Sequence, residues 1–172
     1  TEEAQRDVAI EVAEQVLAVL HGEAARNTVN VPFLPPEVHA VVSPYLPVAS
    51  LLGKILTHLT EGQLLGINIS YQGEIAQHDT TILKAAVLEG FLAPISGERV
   101  NLINATVKAH ERGLKVMEQK TGTVQAHGSL VTVSLNTTSD GITLGGVSMR
   151  DEVHIVRVND YWLDVVPSVP YM

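Results

Sequence analysis

No cysteine occurs anywhere in the 172 residues, and that absence removes disulfides, thiolate nucleophiles, cysteine-ligated zinc and iron–sulfur clusters together. It fits a cytoplasmic location. Basic residues are scarce: 11 Lys and Arg stand against 19 Asp and Glu, a net charge of −8, and no stretch concentrates them. A partner with a phosphate backbone, DNA or RNA, is therefore not expected. No apolar run approaches the roughly 20 residues that a bilayer-spanning helix needs, so no membrane segment is expected. The first residues are acidic, unlike a signal peptide, and no Met opens the chain, which leads to the expectation of a piece or processed form of a longer protein.

The motifs of catalysis are missing as well. Gly141-Ile-Thr-Leu-Gly145-Gly146 lacks the strand, Gly-x-Gly-x-x-Gly and helix order of a dinucleotide site and reads as a twisted strand. There is no P-loop and no Gly-x-Ser-x-Gly elbow. The histidines at 21, 39, 58, 78, 110, 127 and 154 never fall at the short spacings that bring two imidazoles to one metal. Asp151-Glu152 lies between two strand patterns and reads as a solvated turn. Met117, Met149 and Met172 are isolated gap-fillers. No metal or cofactor site is expected, and the chain by itself reads as non-enzymatic.

What is present is a globular composition, 45% hydrophobic, enough for one core with an appended helix. Residues 1–23 form an amphipathic helix: Ala4, Val8, Val12 and Val16 recur at helical spacing, with Ala9, Ala13, Leu17 and Leu20 widening the stripe, and Gly22 ends it. Five prolines between 27 and 47 read as a linker or extended crossing segment, with the boundary placed near Asn30. Two units are thus expected, 1–29 as terminal helix and linker and 30–172 as the compact domain. In the second, Ser43 and Pro44 open a helix whose apolar face is Leu46, Ala49, Leu52, Leu56 and Leu59. Residues 65–71 alternate as a half-buried strand ending at Gly73. Asp79 caps a helix through Leu92, and a third helix lies in 101–112. Strands at 115–120, 129–135, 142–149, 153–158 and 161–166 read as an antiparallel meander. The fold class is α+β: helices packed on one face of a mainly antiparallel sheet, with a detached N-terminal helix.

One chemical possibility survives. Lys108, Arg112, Lys115 and Lys120 lie close in sequence, followed by His127, Arg150 and Arg157, in an otherwise acidic chain. Brought together, such groups hold a phosphate or carboxylate, aided by Asn101 or Asn104 near a helix N-terminus; left apart, they are ordinary solubilising charges.

Longer words in the sequence carry a resemblance. The opening TEEAQRDVAIEVAEQVLAVLHGE and ARNTVNVP, then LGKILTHLTEG, INISYQGEIA, TTILKAAVLEGFL, VNLINATVKAHERG and VRVNDYWLDVVPSVPYM resemble long-form D-3-phosphoglycerate dehydrogenases. The most specific pieces are Tyr71-Gln-Gly-Glu74 with Ala76, Val100-Asn-Leu-Ile-Asn104-Ala105 with Glu111-Arg112-Gly113, and the hairpin Asn159 to Asp164. The similarity covers the last helix of the catalytic part and the intervening, or allosteric substrate-binding, domain that follows it.

The resemblance implies a parent oxidoreductase that oxidises 3-phosphoglycerate with NAD in serine biosynthesis. The catalytic histidine would lie just before Thr1 and a serine-sensing ACT domain just after Met172. The chain itself would hold no NAD and no catalytic residue. Basic residues of this domain are implicated in binding phosphate or phosphorylated substrate, and Lys120 and His127 match that pattern. Where some relatives carry further bases, this chain has Gly128, Tyr161 and Val166, so the implied anion site is either lost or rebuilt around Arg150 or Arg157. Three roles follow: a regulatory module that binds an anionic effector and contacts neighbouring subunits of a dimer or tetramer; a purely structural spacer and oligomerisation domain, pairing through helix faces such as Leu46 to Leu59; or a stand-alone enzyme like the related serine dehydratases, which the lack of cysteine for their cluster speaks against.

Overall fold

The computed structural model describes residues 2–20, 35–122, 128–139 and 141–167. The chain divides into two compact units, Thr1–Phe33 and Leu34–Met172. In the first, α1 (Glu2–Leu20) is the expected amphipathic helix, and Val8, Val12, Val16 and Leu17 on its stripe are each more than half exposed.

The second unit opens with α2 (Pro36–Val42), a 3-10 turn at Ser43–Tyr45 and α3 (Leu46–Leu59). The proline-rich segment was expected to be non-helical, and α2 corrects this. Pro36 sits in the first turn, where a missing N–H costs nothing, and Pro44 and Pro47 take equivalent places in the next two elements. By length and composition alone the run Glu37–Leu59 could cross a membrane, contrary to the expectation from sequence. Its side chains at Val42, Val48, Ala49, Leu52 and Leu56 are instead fully buried in the core.

Six strands follow: β1 (Leu64–Gln72), β2 (Val116–Thr121), β3 (Leu130–Thr137), β4 (Ile142–Met149), β5 (Glu152–Val158) and β6 (Tyr161–Val165). Between β1 and β2 lie α4 (Thr81–Leu92) and α5 (Ala105–Glu111). The spatial order is β2-β1-β3-β4-β5-β6. Strands β3 to β6 form the expected antiparallel meander, but β2 does not join it. It runs parallel to β1 on the far edge, with Ile67 opposite Val116 and Tyr71 opposite Lys120. The connection through α4 and α5 is a βαβ-type crossover that the strand pattern did not reveal.

The α+β assignment holds. Ile67, Ile69 and Tyr71 of β1, Val131, Val133 and Leu135 of β3 and Leu144 of β4 share one face by register and join α3 and α4 in a single core. Helix α4 is buried on nearly every side, as a central helix must be. Its contact with α3 is made through paired glycines. A Cβ on Gly53 would lie 2.2 Å from Val87 O, and one on Gly90 would lie 2.0 Å from Ser50 O, so the two backbones touch directly. The Thr57 hydroxyl, donating to Phe91 O at 2.6 Å, ties the helices together one turn on. Gly146 likewise lets Val48 of α3 reach the sheet.

Candidate functional site

The C-terminal ends of β1, β2 and β4 and the starts of β3 and β5 lie at one end of the sheet, as the pairings Gln72 with Leu130 and Met149 with Glu152 require. Strand β1 leaves this end through Gly73, φ 82, and β3 enters it from Gly128, φ 79. Both take the left-handed conformation that glycine alone adopts freely. A Cβ on Gly73 would lie 2.8 Å from Gly128 O and 2.9 Å from Ser129 Cα, so the two turns are pressed together. The Ile75 N–H donates to Ser129 Oγ at 3.2 Å and pins the chain after β1 to the buried start of β3.

Beside this junction a cleft of about 540 Å³ opens between the first helices and the sheet. Ala40, Val41, Pro44 and Tyr45 form one wall, Gly128 and Ser129 the floor, and Glu74, Ser148, Arg150 and Asp151 the rim. Burial pushes the Tyr45 phenol above its ordinary value; Ser129, through side chain and backbone, pulls the other way, and the charge of Glu74 adds to the rise. The phenol is therefore protonated at neutral pH. Arg150 and Asp151 are the two-residue loop of the β4–β5 hairpin, with φ of 52 and 63. That is the geometry for which Asn-Gly is the usual solution, and here it places a guanidinium and a carboxylate at the mouth of the cleft. Among the described residues, Arg150 makes no hydrogen bond or ion pair.

The other candidate bases do not converge on it. Lys120 shares this end of the sheet but donates to His78 O at 2.7 Å and does not line the cleft. His127 lies outside the described residues. Arg112 ends α5 near the opposite end, donating to Ser96 Oγ at 2.9 Å beside a hollow of about 360 Å³ lined by Thr57, Phe91, Ile95 and Leu114. Arg157 on β5 donates from Nε to Asn159 O at 2.6 Å and lies 5.7 Å from the centroid of the Trp162 ring. Lys108 is held by Glu98 at 2.6 Å and Glu111 at 3.2 Å. Asn101 and Asn104 spend their side chains on the turn before α5. The run of bases that suggested an anion site is thus dispersed by the fold. Gly128 takes a φ of 79, and Tyr161 is 76% exposed on edge strand β6. Tyr45, Glu74, Ser129 and Ser148 escaped the sequence reading, although the glycines at 73 and 128 marked where the chain would press together.

A second polar cluster lies on the helix side of β2. Lys84 of α4 pairs with Glu118 at 2.7 Å, and Thr80 Oγ1 approaches the same carboxylate at 3.5 Å. The buried Tyr71 hydroxyl lies beside them without a hydrogen bond of good geometry. Its phenol is pushed far up, first by burial and then by the charge of Glu118. Among the described residues no three His, Asp or Glu side chains gather as a metal site.

Comparison with known proteins places this architecture. Residues 41–159 match the family model described as the D-3-phosphoglycerate dehydrogenase intervening domain. D-3-phosphoglycerate dehydrogenase of Synechocystis is 36% identical over 170 residues, which are 98% of this chain and 31% of that one. The protein of the same name from Methanocaldococcus jannaschii is 32% identical over 168 residues, 98% of this chain and 32% of its own length. D-3-phosphoglycerate dehydrogenase 3, chloroplastic, of Arabidopsis thaliana is 38% identical over 124 residues, 70% of this chain and 21% of its own. The chain therefore spans a third or less of these relatives. With the family model covering more than half of its residues and the α+β architecture in agreement, the chain belongs to the D-3-phosphoglycerate dehydrogenase intervening-domain family.

Proposed function

We propose that this chain is the regulatory intervening domain of an NAD-dependent D-3-phosphoglycerate dehydrogenase of serine biosynthesis, preceded in residues 1–29 by the last helix and linker of the catalytic part. The parent is a cytoplasmic homo-oligomer, dimer or tetramer. The domain contributes no NAD site and no catalytic group. It binds a small anion, phosphate or 3-phosphoglycerate, and passes the event on through subunit contacts. Family membership supports the parent activity. The observation that carries the effector reading is Arg150, held at the mouth of a cleft with no internal partner among the described residues. Lys120 lies at the same end of the sheet outside the cleft lining, donating to His78 O, and His127 follows it in sequence.

Regulation requires that the ligand bind two arrangements of the parent with different affinity; a coupling of about 1–3 kcal/mol is ordinary. Thermal unfolding against rising 3-phosphoglycerate, with chloride at matched ionic strength, tests the binding. A ligand at about a hundred times its dissociation constant adds roughly 2.7 kcal/mol. A saturable rise that Arg150→Gln abolishes and Lys120→Ala weakens is the expected result; a flat response in the unaltered chain overturns the effector reading. In that case the structural role gains ground, and β6 supports it by exposing Tyr161, Trp162 and Val165 on a sheet edge, with Val166 exposed just after it. Of the face Leu46 to Leu59, Ala49, Leu52 and Leu56 are buried in the core and Leu59 stays exposed.

A further inference from the structure

The hollow beside Arg112 is built differently from the cleft. It lies at the opposite end of the sheet, where α3, α4 and α5 end and β1 begins, and its volume is about 360 Å³. Leu64, Phe91, Leu92, Ile95 and Leu114 give it an apolar wall, with Ile95 58% exposed at the end of a 3-10 turn. The helix ends around it are closed. Thr57 Oγ1 donates to Phe91 O at 2.6 Å and Thr60 Oγ1 to Leu56 O at 2.6 Å. After α5, the N–H groups of Gly113 and Leu114 donate to His110 O and Ala109 O. These hydroxyls and terminal carbonyls are spent on the fold itself and leave the wall without polar demands of its own.

Arg112 is different. One of its nitrogens donates to Ser96 Oγ at 2.9 Å, which leaves most of a guanidinium with five N–H donors, and among the described residues it forms no ion pair. No described carboxylate lines the hollow, in a chain of net charge −8, and Glu98 is claimed by Lys108 at 2.6 Å. An apolar recess with an unneutralised guanidinium in its lining is complementary to a molecule with an apolar tail and one anionic head. We propose that the hollow binds a small monocarboxylate with an unbranched tail, the chemical class of the medium-chain carboxylates. The head pairs with Arg112 and the tail lies along Phe91, Ile95 and Leu114. This site is separate from the effector reading, since 3-phosphoglycerate has no apolar part to fill it.

Amide chemical shifts of the labelled full chain, titrated at neutral pH with butyrate, hexanoate, octanoate and uncharged 1-hexanol, test the proposal. The expected result is saturable shifts at Leu64, Phe91, Ile95 and Leu114, with affinity rising about two- to fourfold for each added methylene. 1-Hexanol binds more weakly than hexanoate by about tenfold, as loss of a charge-assisted contact implies. Arg112→Gln weakens hexanoate by a similar factor, and Ile95→Asp, which sets a carboxylate in the exposed wall, abolishes its binding. 1-Hexanol binding as tightly as hexanoate overturns the proposal, as does an affinity that does not grow with tail length or the absence of saturable shifts. Shifts at these residues that follow protein concentration and not carboxylate assign the hollow to a second copy of the chain and overturn it as well.

Discussion

Gly53 and Gly90 hold the α3–α4 crossing at backbone contact, and neither can accept a methyl group without moving a helix. Gly90→Ala is expected to lower stability by about 3 kcal/mol, at the upper end of ordinary overpacking costs; urea denaturation measures it, and a loss under about 1 kcal/mol means that the helices separate easily. Tyr71 makes the opposite case. Its hydroxyl is buried beside Glu118 without a well-formed hydrogen bond, so removing it forfeits little and relieves a desolvated group. Tyr71→Phe is expected to leave the urea midpoint unchanged or raise it; a fall equivalent to more than about 1 kcal/mol would reveal a bond that this account denies. Asp79 adds a pH dependence. Its carboxylate accepts from the Thr81 hydroxyl at 2.6 Å and the Thr81 N–H at 2.9 Å. These two bonds, side chain first, hold it below its ordinary value of 3.8, with Lys120 and Lys84 helping. The carboxylate's stabilisation is therefore complete above that value and is lost as pH falls through the lower folded one. Asp79→Ala should cost about 1 kcal/mol at neutral pH, and the gap between variant and parent should close in acid.

At the scale of elements, the strands were legible because alternation reports a buried face directly. Strand β4 was read at its observed limits, since Gly145 and Gly146 weaken a strand without ending it and here admit Arg157 and Val48. Helix α2 was hidden by its prolines, which mark a break until their first-turn positions are known. The place of β2 was not legible at all. Alternation tells which way a side chain faces, not which strand lies beside it, and the parallel partner β1 is separated from β2 by two helices. The cleft was hidden for the same reason: its residues come from α2 and the turn after it, the end of β1, the start of β3 and the β4–β5 hairpin, and only Arg150 stood out as a base among acids. Because β2 is an edge strand exposed at every position after Val116, native-state hydrogen exchange should find its amides markedly less protected than those of β1 and β3. Equal protection would mean that β2 opens only with the whole core.

At the scale of the molecule, the core of the second unit is built from residues between Val42 and Leu144, all within Leu34–Met172. Deleting residues 1–22 should therefore shift the melting temperature by less than about 3 °C, a change of under 1 kcal/mol for a domain of this size; failure of the shortened chain to fold would contradict a self-sufficient second unit. The larger claim is that the domain is a receiver for a small charged effector at one end of its sheet. Amide chemical-shift mapping tests it most directly: the labelled chain is titrated with 3-phosphoglycerate, against chloride at matched ionic strength. The account predicts saturable shifts centred on Tyr45, Glu74, Ser129 and Arg150. Shifts centred on Arg112 and Arg157 at the far end, or none that saturate, would contradict it.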